Sequence, residues 1–180
     1  MRFPVHFLAL IGAAAANSAD YTSRPTVVDT AHNVTYHGLA RNGIDVFLGI
    51  HFGQDTSGAN RFKPPRSVEH PPGTVVDATN FGPACPQVLG NLVPPLALTN
   101  VSEVSEDYLH VNVARPKGAK PGDKLPVLVW IHGGSFWVGQ NREITNAPDG
   151  MILKSIENGL PIIHVAVQYR LGGRWTPARP

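Results

Sequence analysis

The sequence holds one cysteine, Cys85, among 180 residues. A single thiol cannot close a disulfide within the chain, so a small disulfide-stapled scaffold is excluded. Charge is scarce as well. Asp, Glu, Lys and Arg make up 16% of the chain, with a formal balance of +2 and no basic run. Nothing there would attract a phosphate backbone, and no nucleic-acid partner is expected. No apolar run reaches the ~20 residues of a membrane span. The eight histidines have no metal-ligand spacing, so neither a metal nor another cofactor is expected. Internal repeats and low-complexity tracts are missing too.

Turn formers are what the chain has in quantity: 18 glycines and 17 prolines, against an apolar fraction of 42%. That describes a loop-rich chain with enough apolar surface for a core, and the length suits one domain. The first 16 residues read as a secretory signal. Arg2 gives the positive start, Phe3–Ile11 is mostly apolar, and Ala14, Ala15 and Ala16 offer a small-x-small cleavage site. A mature, secreted, extracellular chain would begin near Asn17. Asn33-Val34-Thr35 and Asn100-Val101-Ser102 are N-glycosylation acceptors that suit this compartment.

Short β patterns at Thr26–Thr30, Val34–Tyr36 and Ile44–Ile50 predict an antiparallel meander. Val75-Val76 predicts one more short strand. Tyr108–Arg115 alternates, with Leu109, Val111 and Val113 on one side and His110, Asn112 and Ala114 on the other, as in a half-buried strand. Leu125–Ile131 predicts a buried strand. Pro148–Asn158 predicts a helix that Pro148 starts and Gly159 stops. Pro161–Val167 predicts a further apolar strand. Strand, helix, strand in this order is the signature of a parallel sheet. The fold class expected is therefore α/β, an antiparallel β start leading into a mixed, mostly parallel sheet.

The chemistry concentrates in Leu125–Gly139, LPVLVWIHGGSFWVG. An apolar run ends at His132. Gly133 and Gly134 follow, then Ser135, Phe136 and Trp137. Glycines let the backbone turn sharply and aim its N–H groups outward. Such donors stabilise the negative charge that a carbonyl oxygen gains during acyl transfer, each by roughly 2.7–4 kcal/mol. A tight corner after a core strand would look the same.

Several blocks, in order, resemble the type-B carboxylesterase/lipase family, which includes the cholinesterases. Gly49-Ile50-His51-Phe52 resembles its GIPYA block, with His51 at the proline. Asn60–Pro65 resembles RFxPP, Gly82–Gln87 the first-cysteine block, and Ser105–Val113 SEDCLYLNV. Val127–Gly139 resembles VLVWIHGGxFxxG, and Val165–Leu171 resembles VxxNYRL. The resemblance runs from about Thr26 to Leu171. It implies the N-terminal part of an α/β-hydrolase fold, incomplete here, with 172–180 an aberrant tail. It implies an oxyanion hole at Gly133 and Gly134, a serine acyl-enzyme mechanism, and a small ester or lipid substrate for the complete protein. It also implies a structural pair between Arg61 and Glu106, and an Arg170 whose family partner lies downstream.

Two departures matter. Tyr108 stands where the family has the second cysteine, so the bridge implied for Cys85 cannot form. No G-x-S-x-G occurs in the sequence, and the family's nucleophile, acid and base all lie beyond the YRL strand. Ser135 sits inside the glycine loop without an elbow, and His132 is expected to order that loop rather than act as base. The leading expectation is an N-terminal fragment of a secreted carboxylic-ester hydrolase, inactive as written. The alternative is a non-catalytic secreted cholinesterase-like binding or adhesion module. That alternative requires the chain to fold alone, with Pro161–Val167 expected as an exposed apolar edge.

Overall fold

A computed structural model describes residues 24–89 and 101–175. The expected signal segment 1–16, the expected acceptor Asn100 and residues 176–180 of the expected tail lie outside the described residues. Eight strands form two sheets. They are β1 (Thr26–Asp29), β2 (Val34–His37), β3 (Leu39–Arg41), β4 (Ile44–His51), β5 (Val75–Asp77), β6 (His110–Pro116), β7 (Val127–Ile131) and β8 (Ile163–Val167). One helix, α1 (Asp149–Glu157), joins β7 to β8.

The expected single meander splits in two. β1, β2 and β5 make a small sheet, in which β1 and β2 are antiparallel and β5 runs parallel to β2. β3 and β4 begin a five-stranded sheet ordered β3-β4-β6-β8-β7. Gly38 is the crossing point between the sheets. A Cβ there would meet the Val46 carbonyl and the Phe47 ring, so only glycine passes that close. The hairpin from β3 to β4 turns on Asn42-Gly43, at φ 48° and 78°. These two-residue turns need positive φ at both central positions, which Asn-Gly tolerates best.

In the larger sheet, β3, β4, β6 and β8 pair antiparallel in turn, and the parallel pairing enters last, between β8 and β7. The sheet is mixed, with the antiparallel part first. α1 packs on β4 and β6 and buries Ile152 against Ile44, Val46, Leu48 and Ala114. It starts one residue later than expected, at Asp149, whose carboxylate meets Arg41 at 2.7 Å and Asn42 at 2.9 Å. An anion in the first turn also suits the helix dipole. At the far end, Leu160 N–H bonds Ser155 O and Gly159 N–H bonds Ile156 O. With Gly159 at φ 71°, this is a Schellman stop.

The sequence left the inward face of β6 open, and it misjudged burial on β7 and β8. On β6, the polar side of the alternation faces inward: His110, Asn112 and Ala114 are buried, while Val111 and Val113 are only half-buried. The inward side chains meet polar partners, described below, so the usual rule of apolar-in does not decide the face. On β7, Val127, Leu128, Val129 and Ile131 are exposed rather than buried. β7 pairs on one side only, and α1 covers other strands. The open apolar edge is accordingly β7 and not Pro161–Val167, since β8 is enclosed between β6 and β7. Nor is β8 fully apolar: His164 is buried on it.

A second small core joins Cys85, Tyr108, Leu109 and Leu171, with Tyr169 against it. Cys85 is a buried thiol, and the Leu171 N–H points to its Sγ at 3.4 Å. Tyr108 is buried beside it, with its hydroxyl in hydrogen-bonding reach of Thr56 and Cys85. Burial pushes the phenol up to about 12. Packing thus takes the place of a bridge. A Tyr108→Cys variant should form a disulfide with Cys85 on oxidation, seen by mass spectrometry as the loss of two hydrogens. A bridge contributes ~2–4 kcal/mol, and emptying an aromatic site costs ~3–5 kcal/mol. The oxidised variant should therefore melt near the parent and the reduced one far below it. Failure to oxidise would refute the equivalence of position 108 with a bridging site.

Candidate functional site

β7 delivers the chain to His132, which is buried. Its Nδ1 lies 2.9 Å from the Gly133 carbonyl, and its Nε2 lies 3.4 Å from the Gln168 amide nitrogen. The carbonyl can only accept, so Nδ1 carries the proton and Nε2 accepts from Gln168. The ring stacks on Tyr169 at 4.2 Å and 18°, and the Tyr169 hydroxyl donates to His132 O. Burial pushes the imidazole pKa down, which keeps it neutral. Both ring nitrogens and the carbonyl of this residue are spent on holding the turn.

The turn itself is tight and strained. Gly134, Ser135 and Phe136 follow one another at φ 118°, 54° and 60°. For Ser and Phe such values cost on the order of 1–3 kcal/mol each, and they persist only where surrounding contacts impose them. Trp137 N–H and Val138 N–H both donate to Gly134 O, at 3.0 and 3.1 Å. Gly139 closes the loop at φ 121°, where a Cβ would overlap His132 Nδ1 and Gly133 O. The Gly133 and Gly134 N–H groups donate to nothing among the described residues. Two unspent donors therefore lie in sequence on a braced turn, which is an arrangement suited to an anionic oxygen. Phe136 and Trp137 stand beside them, 61% and 72% exposed, which excludes a core role for either within this chain. Ser135 is exposed, and no base is within hydrogen-bond reach of its hydroxyl among the described residues.

Residues that the sequence did not single out do the bracing. The Gln87 carboxamide accepts from Gly139 N–H at 2.7 Å and donates to Gly139 O at 2.8 Å and to Cys85 O at 3.0 Å. Asn141 N–H donates to Gln168 Oε1 at 2.8 Å, and Asn141 Nδ2 reaches Ala166 O at 3.2 Å and His110 Nδ1 at 3.3 Å. His110 Nε2 donates to Pro83 O at 2.9 Å, and burial pushes this imidazole down to about 4. Asn112 links Gly49 N–H to Asn141 O. Within this set only His110 and Asn112 lie in a strand, where an imidazole or amide among apolar residues is a sequence signal.

The other candidates fall elsewhere. Arg61 and Glu106 come together in an ion pair, with Arg61 Nε 3.1 Å from Glu106 Oε2. Arg170 donates to Lys63 O at 2.7 Å and has no acidic partner among the described residues. Asn33 is exposed at a hairpin turn, φ 53°. A cavity of about 300 Å³ lies behind the loop exit, between the sheet and the start of α1, lined by Asn112, Asn141, Glu143 and His164. Glu143 is buried there with Oε1 unpartnered, and burial pushes its pKa up to about 7.

The model of the "Carboxylesterase family" matches residues 31–173. A secreted lipase of Arthroderma benhamiae is 50% identical over 155 residues, covering 83% of this chain and 26% of that protein. VdtD of Byssochlamys spectabilis, an inactive carboxylesterase-like protein, is 42% identical over 149 residues, covering 83% of this chain and 25% of that protein. A solved PNB esterase matches with TM-score 0.66 and 33% identity, over 83% of this chain and 28% of that one. The chain thus spans about a quarter of the length of the curated relatives it matches.

Two outcomes follow for stability. Gly139→Ala should destabilise by more than about 1–3 kcal/mol, because the added methyl overlaps the loop at a φ that suits glycine. Gly133→Ala, where a Cβ meets nothing within 4 Å, should stay within about 0.5 kcal/mol of the parent. Equal melting of the two variants would contradict the loop geometry. The second outcome concerns pH. With the Glu143 pKa raised from 4.5 to about 7, the folded chain keeps a proton that the unfolded chain releases. Stability is then lost as pH rises between those values. Glu143→Gln should stabilise at about pH 8 by on the order of 1–3 kcal/mol and give no such gain at about pH 4. Thermal melts at both pH values decide this, and a gain that is equal at both would refute it.

Proposed function

The chain belongs to the carboxylesterase family, and on that footing we propose that it is the N-terminal part of a secreted carboxylic-ester hydrolase. The observation that carries this reading is the braced turn after β7, with the Gly133 and Gly134 N–H groups unspent. In the proposed reaction a serine oxygen attacks the ester carbonyl as a base takes the serine proton and becomes the general acid, and the carbonyl π electrons move onto oxygen. The two glycine N–H groups donate to that oxyanion. The tetrahedral centre collapses, the alcohol leaves with a proton from the general acid, and water later releases the acyl group by the same route. The N–H after the nucleophile supplies a further donor in this fold.

No G-x-S-x-G elbow occurs in the sequence, so in this reading the chain contributes the electrostatic half of the site. The exposed aromatic pair Phe136 and Trp137 would wall the ester's acyl or alcohol group. The uncovered apolar edge of β7 supports a longer domain, since such an edge needs a partner. Secretion is supported by the Arg2–Ala16 pattern and by the secreted relative. Small esters or lipids are the proposed substrates, and Asn33 and Asn100 the proposed glycan sites. A second reading, a non-catalytic binding module, is favoured by one observation, the relative named as inactive.

Ester turnover tests both. The 180-residue chain should hydrolyse p-nitrophenyl butyrate no faster than buffer and should resist an organophosphate probe. A longer polypeptide carrying this segment with a G-x-S-x-G elbow should turn over and be labelled once per chain. Labelling of the short chain would place a nucleophilic serine within it and overturn the division of roles. A folded longer polypeptide without turnover would favour the binding module.

A further inference from the structure

Gly133 and Gly134 can serve as donors only while the loop stays closed, and its closure depends on Gly139. That residue lies against both His132 Nδ1 and Gly133 O, so any drift of Gly139 moves the first half of the loop. The Gln87 side chain holds the backbone of Gly139 directly. The carboxamide takes both the N–H, at 2.7 Å, and the C=O, at 2.8 Å. It can do so because an amide carries a donor and an acceptor side by side. Its amide nitrogen also donates to Cys85 O at 3.0 Å. Cys85 in turn sits in the buried cluster with Tyr108, Leu109 and Leu171. A continuous path therefore runs from a rigid core, through one side chain, to the turn that presents the donors.

We propose that Gln87 is a positioning residue for this loop: its carboxamide clasps the Gly139 backbone and so fixes where the Gly133 and Gly134 N–H groups stand. The proposal rests on the ester-hydrolase reading for its effect on catalysis, though the clasp itself is independent of that reading. The hydrogen bonds of the Gln87 carboxamide go to Gly139 and Cys85, not to Gly133 or Gly134. Its effect on rate would come through geometry, and a displacement of the order of 1 Å is enough to cost a large factor in rate. Alanine removes donor and acceptor together. Glutamate keeps the shape, but when ionised it only accepts, so it faces the Gly139 and Cys85 carbonyls with no proton to offer.

The test has two arms. In the 180-residue chain, amide hydrogen exchange is followed in peptides covering 132–140, with the β6 and β8 peptides as control. Gln87→Ala should speed exchange in 132–140 by about tenfold and leave the control unchanged. Gln87→Glu should match alanine at neutral pH and return towards the parent, compared at the same pH, as its carboxyl takes up a proton. In the longer polypeptide, Gln87→Ala should lower kcat about tenfold with KM within about twofold, the pattern of a contact felt in the transition state. The kcat of Gln87→Glu should recover at acidic pH relative to the parent. Unchanged exchange in 132–140, or loss spread equally over β6 and β8, would overturn the clasp. So would a Gln87→Glu profile that shows no pH dependence. An unsubstituted longer polypeptide without ester turnover would instead sink the hydrolase reading, and the exchange arm would still decide the clasp.

Discussion

The architecture depends on satisfying a buried strip of polar backbone where the chain leaves β7, turns, and crosses back over the sheet towards α1. Gly139, Gln140, Asn141 and Glu143 are all buried on that return path. Backbone groups withdrawn from water cost about 1–3 kcal/mol each when left unpaired. The chain has no ladder to place them in, so side-chain amides take over. Gln87 serves Gly139, Gln168 serves the N–H of Asn141, and Asn112 serves its carbonyl. Because Gln168 also reaches His132, the loop and its exit are held by one network. A network of this kind fixes one arrangement sharply, since a slip would strand several groups at once.

That constraint explains which parts of the fold were legible in the sequence. The βαβ unit was legible because its signals are local: Pro148 before the helix, Gly159 after it, and an apolar run on each side. The glycine loop was legible through the blocks around it, since His-Gly-Gly alone also fits a plain tight corner after a strand. The inward face of β6 was not. Alternation identifies two faces, but it does not say which is buried, and here His110 and Asn112 are inside because Asn141 and Pro83 O await them. The split into two sheets turns on Gly38, one glycine among 18. The Asn42-Gly43 hairpin, by contrast, was there to be read, and β3 with it.

Of the site residues, Gly133 and Gly134 stood out through their neighbours, whereas Gln87 gave no signal of its own. A glutamine between prolines and a loop is an ordinary surface residue by composition. Its role depends on Gly139, 52 positions further on, and periodicity cannot report contacts at that range. The exposure of β7 was hidden for a related reason. An apolar run reads as buried, yet burial is a property of what covers a strand. Among the described residues α1 covers β4 and β6, and leaves both faces of β7 open.

The single cysteine and the braced loop fit together physically. A bridge to Cys85 would pin the segment 82–87 by covalent constraint. With Tyr108 opposite, the same segment is pinned by burial, by the Leu171 N–H contact to the sulfur, and by the Gln87 carboxamide. Each of these is weaker than a covalent link, but they act on the folded state and not on the unfolded chain. They also lead directly to the turn that carries the donors. Strain at Ser135 and Phe136 would otherwise relax by rotating the peptide units around Gly134, and the two free N–H groups would find acceptors elsewhere. The side chains packed beneath the loop are therefore what keeps those donors unsatisfied, and the turn could serve the proposed oxyanion role only in that condition.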